Sequence, residues 1–298
     1  LSISIVPEIP KAKERVTITL QSYSYNLNTA RISWSQNGKA ITSGTGYTTF
    51  TFDNGTVGTV TTITATIAPS NGRSFTRVFS FNPTDVAIIW EAETYTPPLY
   101  LGKAFFVDGA SIIASAIPDF IQNGKKISRD SLVYTWTLDG DPLVSKSGHG
   151  KHTISIVGNT LGSEQVLSVS VSSSDGALQG FSSITLTPQT PMTVLYENHP
   201  LFGVLFNTAL KNSFPLSQTE VSLLAVPYFF SDSEPFNMLD IAWTMNGKRV
   251  EQKGTKEYII LRNDTNAKGT ANLGLQIVHT QNSFQNARTG LSINLSPQ

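Results

Sequence analysis

The chain has no cysteine. That single absence removes a disulfide frame, thiolate catalysis and Cys-ligated zinc. Charge is scarce as well: 14% of residues are Asp, Glu, Lys or Arg, well below the roughly 25% of average soluble proteins. The 21 basic and 21 acidic side chains balance. No basic stripe stands out, which argues against nucleic acid or an anionic lipid surface as a partner. Long apolar runs are missing too. The longest, Val221 to Phe230, is interrupted by Pro227 and falls far short of the ~20 residues that cross a bilayer as a helix, so no membrane span is expected.

Catalytic and metal-binding patterns are equally thin. The four histidines lie at 149, 152, 199 and 279. His149 and His152 share a Gly-rich loop with no third ligand beside them, and a metal site needs one. Glu91 and Glu197 lie in matching phrases, but a calcium ion wants six or more oxygens. No Gly-x-Ser-x-Gly elbow, phosphate-binding loop or convincing carboxylate pair is present. The expectation is a protein with no catalytic residue, no metal and no cofactor.

What is present is repetition. "ISWSQNGKAI", "YTWTLDGDPL" and "IAWTMNGKRV" share one pattern: Trp34, Asn37, Gly38; Trp136, Asp139, Gly140; Trp243, Asn246, Gly247. In each, large and small side chains alternate with the period of two of a half-buried strand. An Asn-Gly or Asp-Gly pair then supplies the two positive-φ positions of a type I′ hairpin. The tryptophans recur about every hundred residues, the size of a domain rather than of a solenoid repeat.

Flanking segments repeat as well. An alternating strand precedes each tryptophan (Arg15, Ala110 and Glu220 onward), and another follows ("YTTFTF", "HTISIV", "EYIILR"). A long hairpin then turns at Ser70-Asn71-Gly72 and at Ser174-Asp175-Gly176. The third copy lacks the turn glycine, so a different loop is expected there. Pro83, Pro188 and Pro297 close the copies, since proline cannot continue a central strand.

About seven short strands per copy, no amphipathic helix and a tryptophan on the third strand predict an all-β chain of three tandem immunoglobulin-like β-sandwiches, spanning 1–85, 86–191 and 192–298. With no disulfide, each tryptophan must pack on aliphatic side chains. The copies resemble bacterial Ig-like domains. "YTWTLDGD" in the second is similar to the Tyr-x-Trp-x-Phe-Gly-Asp-Gly signature of polycystic-kidney-disease-type domains; Ile32 and Ile241 replace that tyrosine in the other two. The whole chain also resembles exported repeat proteins of candidate-phylum bacteria.

A second phrase recurs at the start of two copies: "VAIIWEAETYTPPLYLGKAFF" and "TVLYENHPLFGVLF". Trp90 matches Tyr196, and Pro98-Leu99-Tyr100 matches Pro200-Leu201-Phe202. Proline and large aromatics are unlike flexible Gly/Ser linkers. Trp90, Tyr95, Tyr100, Tyr196 and Phe202 are therefore expected either to fill stiff joints, with the first strand of each incoming sandwich covering the end of the previous one, or to face a partner. The resulting expectation is an elongated rod: a non-enzymatic extracellular or cell-surface protein of a bacterium, acting as stalk or adhesion module toward other surface proteins or glycans. Alternatives are a glycan-binding or accessory module of a larger enzyme or filament, and a self-assembling subunit of an ordered surface layer.

Overall fold

The structure is a computed structural model; it describes all residues except 160–161, 232–234, 252–253, 265–266 and 297–298. Pro297 therefore lies outside the described residues. The fold is all-β: twenty-six strands and three short 3-10 turns, with no α-helix among the described residues. Three tandem immunoglobulin-like sandwiches account for them.

In the first sandwich, Ser2–Val6, Arg15–Gln21 and Thr49–Asp53 form one sheet. Lys39–Thr45, Arg31–Gln36, Thr61–Ala68 and Phe75–Phe81 form the other. Burial alternates strictly along Arg15–Gln21 and Thr61–Ala68, placing Val16, Ile18, Leu20, Ile63, Ala65 and Ile67 in one apolar layer around Trp34. The second sandwich pairs Thr153–Val157, Ser111–Asp119 and Asp85–Ala92 against a sheet ordered Asp141–Pro142, Val133–Leu138, Gln165–Ser172, Gln179–Leu186. The third adds strands at its edges, including Ser213–Leu216, which runs parallel to Asn286–Leu295. Its core gathers around Trp243.

The three tryptophans take the same place in their sandwiches, but the expectation of purely aliphatic packing is corrected at Trp34, which stacks on Phe50 at 5.1 Å. All are buried, and they face Ala65, Val169 and Leu275 across the neighbouring strand. Each indole N–H donates to a backbone carbonyl just ahead of the following strand: Tyr47, Lys151 and Lys256, at 2.8 Å in all three. The hairpins are equally uniform. Asn37, Asp139 and Asn246 have φ of 50°, 53° and 50°, followed by Gly at 80°, 88° and 78°, the mirror-image geometry that Asn, Asp and Gly tolerate best. Their side chains then accept an N–H from the long-hairpin strand: Thr62 at 2.8 Å, Val166 at 2.7 Å and Asn272 at 2.8 Å. The backbone N–H of each turn residue donates to the carbonyl of that same partner. The repeated motif is thus a two-bond clamp as well as a turn.

The chain packs into two compact units: Leu1–Ile89, Ser115–Ile154 and Val166–Ile184 form the first, and Trp90–Ala114, Ser155–Gln165 and Thr185–Gln298 the second. These packing units divide the expected middle span 86–191 between them. One end of that span packs with the first sandwich inside the first unit, where Thr84 Oγ1 donates to the Gln179 carbonyl at 2.6 Å. A Cβ added to Gly180 there would lie 2.7 Å from Thr84 and from Val86, so the strand can approach only as glycine.

Candidate functional site

The densest aromatic assembly lies inside the second unit. It begins where Asp85–Ala92 ends. Pro97 and Pro98 keep the following segment out of regular structure, and Leu99 takes a left-handed φ of 70°, uncommon for a bulky residue. That backbone turns Leu99 and Leu101 outward, 84% and 100% exposed, and Tyr100 inward. The Tyr100 ring meets Tyr228 at 6.0 Å and Phe229 at 5.6 Å, both edge-on, and its hydroxyl donates to the Lys103 carbonyl at 3.2 Å. Phe105 lies 4.5 Å from Phe229, and Tyr95 meets Phe236 edge-on at 6.0 Å.

Backbone bonds lock the same contact. Tyr95 N–H donates to the Phe230 carbonyl at 2.8 Å, and Phe229 N–H donates back to the Tyr95 carbonyl at 2.7 Å. Thr94 bridges to Ser231. Phe229 itself is buried and left-handed, φ 64°. Such a conformation costs a bulky L-residue about 1–2 kcal/mol and persists where the surroundings over-determine it. Here two backbone bonds and three ring contacts do so.

A polar bracket stands beside the rings. The Asp108 carbonyl accepts Asn282 Nδ2 at 2.8 Å and Gln285 Nε2 at 2.6 Å. Buried Gln285 also accepts the Ser231 N–H and hydroxyl at 2.9 and 3.0 Å. The long-hairpin loop that lost its turn glycine is therefore the loop that supplies this bracket.

Of the sequence-predicted aromatics, Tyr95 and Tyr100 meet in this assembly. Tyr196 joins it through a 2.6 Å hydroxyl–hydroxyl bond to Tyr228. Burial, then that bond, holds the Tyr228 phenol well above its ordinary value, and burial raises Tyr95 as well; both rings are packing groups, not acids. Trp90 stands apart, half-buried, with the Lys103 ammonium 3.2 Å from its ring centroid. Burial lowers the Lys103 pKa while Glu91 opposes the shift. A shallow hollow of about 360 Å³ beside it is lined by Glu91, Ala92, Glu93, Thr94 and Ile113. Phe202 lies on the hairpin between Met192–His199 and Gly203–Leu210, 76% exposed, stacked on His199 at 4.8 Å.

One expectation is corrected. Tyr95 and Tyr100 pack on Tyr228, Phe229 and Phe236 of the following sandwich, not on the preceding one. The reason is strand length: eight residues at about 3.3 Å each carry the chain across the sandwich before the phrase reaches Tyr95. The residues that reading missed are Tyr228, Phe229, Phe236, Asp108, Asn282 and Gln285. Their only signal was the aromatic run "YFF" at 228–230, which reads as the end of a core strand.

No family model matches the chain, and no curated protein is similar to it. Solved structures align along the chain at low identity. The three N-terminal domains of the bacteriophage RB49 Highly Immunogenic Outer Capsid protein align over 99% of this chain and 98% of theirs, at 13% identity and TM-score 0.27. The central fibronectin-III array of RIM-binding protein aligns over 100% and 96%, at 9% identity and TM-score 0.31. Bacteroides ovatus SGBP-B, solved with a mixed-linkage heptasaccharide, aligns over 99% and 70%, at 11% identity and TM-score 0.25.

Proposed function

We infer that this is a non-enzymatic structural and interaction protein, a stalk or adhesion module of a bacterial surface whose task is to hold β-sandwiches in fixed relation. The supporting observation is the construction of the junction in the second unit. Reciprocal backbone bonds between Tyr95 and Phe229–Phe230, edge-on rings and the Asn282–Gln285 bracket join middle-sandwich and third-sandwich residues where a flexible protein would carry a Gly/Ser linker. The polycystic-kidney-disease-type likeness of "YTWTLDGD" and the extracellular setting belong to this proposal, as do other surface proteins as partners.

The glycan-binding alternative needs an open aromatic face. Trp90 is its best residue, and the Lys103 ammonium lies over that ring, which favours the structural role. The test is ¹⁵N relaxation on the chain. One rotational diffusion tensor is expected for the segments around Tyr95–Phe105 and Glu220–Phe230. Independent tumbling of the two would overturn the reading.

A further inference from the structure

The junction exists once as a filled contact and again as two unfilled halves. In the filled contact, the phrase Pro98-Leu99-Tyr100 delivers its aromatic to Tyr228 and Phe229, just past the strand Glu220–Tyr228. The matching phrase, Pro200-Leu201-Phe202, delivers its side chains to solvent: Leu201 is 83% exposed and Phe202 76%. The tip is nonetheless ordered for contact. Leu201 N–H donates to His199 Nδ1 at 3.1 Å, and the His199 ring backs Phe202.

The receiving half recurs in the first sandwich. Strand pairing sets the register: Arg15 faces Asp53 as Glu220 faces Arg262, and both couples form ion pairs. Buried Val16, Ile18 and Leu20 then fall on Val221, Leu223 and Ala225. Eight positions beyond Arg15 stands Tyr23, where Tyr228 stands beyond Glu220; Ser24 replaces Phe229, leaving that place open, and Tyr25 takes the place of Phe230. Tyr23 is 100% exposed, and Tyr25, 41% exposed, leans on Phe75 at 5.8 Å. A large, fully exposed tyrosine at a position that elsewhere receives a partner ring is what an unfilled half-site looks like.

We propose that a second copy of this chain fills it, Leu201 and Phe202 of one copy seating on Tyr23 and Tyr25 of the next. The two halves differ, so the contact is heterologous and repeats from copy to copy without exhausting its sites. This goes beyond the structural role above and does not depend on it, because a chain that stayed monomeric would leave the Tyr100–Phe229 junction as it is.

Sedimentation velocity from low to high micromolar concentration tests the contact, with Tyr23→Ser and Phe202→Ser, both exposed positions whose replacement leaves the cores intact. The wild-type average mass should climb with concentration without a plateau. Each variant alone should associate on the order of tenfold more weakly or worse. An equimolar mixture of the two should stop at a 1:1 dimer, since only one intact pair of halves remains. A wild-type monomer at every concentration overturns the proposal, as does either variant associating like wild type.

Discussion

At the scale of single residues, the recurring Trp and Asn/Asp-Gly are explained by what their polar atoms do. The buried indole N–H finds a carbonyl partner, where an unmet buried donor costs about 1–3 kcal/mol, and the turn side chain adds a surface bond whose net worth is about 0.5–1.5 kcal/mol. Asp139 accepts the Val166 N–H as Asn37 accepts Thr62 and Asn246 accepts Asn272. Asp139→Asn should therefore be nearly neutral. Asp139→Ala should lose the clamp and place alanine at φ 53°, destabilising the hairpin by about 1–2 kcal/mol. Hydrogen exchange at the Val166 amide is the local readout: protection should fall about tenfold or more in the alanine variant and hold in the asparagine variant. Equal protection in both would refute the clamp.

At the scale of elements, the junction strands show what was legible and what was not. Period-two alternation and the turn residues exposed the strands, their sheet faces and the three tryptophan sites, because local backbone chemistry dictates those. The partners of Tyr95 and Tyr100 were hidden, because a ring's neighbour depends on how far its strand carries it, and the left-handed Phe229 has no sequence signature. The phenols make this scale testable. Tyr228 favours its neutral form when folded, so the stability it lends is complete below pH of about 10, the ordinary tyrosine value, and is lost as pH rises beyond it toward the folded value. Absorbance at high pH should show Tyr95 and Tyr228 ionising above the ordinary tyrosine value. Tyr228→Phe should remove the lag of one phenol, and with it part of the alkaline destabilisation of the second unit. Ionisation of Tyr95 and Tyr228 at the ordinary tyrosine value would contradict the burial assigned here.

At the scale of the whole molecule, stability is divided among separate cores and the contacts that join them. The third sandwich has its own core around Trp243, Ile277 and Leu291, so a fragment from Met192 onward should fold. It would, however, lose Tyr95, Tyr100 and Phe105, which cover Tyr228, Phe229 and Phe236. Uncovering aromatic surface costs about 25 cal/mol per Å², and each kcal/mol lost lowers the Tm of a hundred-residue domain by about 4–8 °C, so the shorter fragment should melt lower. A longer fragment beginning at Asp85 restores those rings and should recover the loss. Tryptophan fluorescence, from Trp243 alone in the shorter fragment and from Trp90, Trp136 and Trp243 in the longer, should report native packing in both at low temperature, with dye binding to exposed apolar surface only in the shorter one. Were the two fragments to melt together, the rings around Phe229 would be passive neighbours. Separate melting, with the gap closed by residues 85–191, makes the junction an energetic part of the third sandwich.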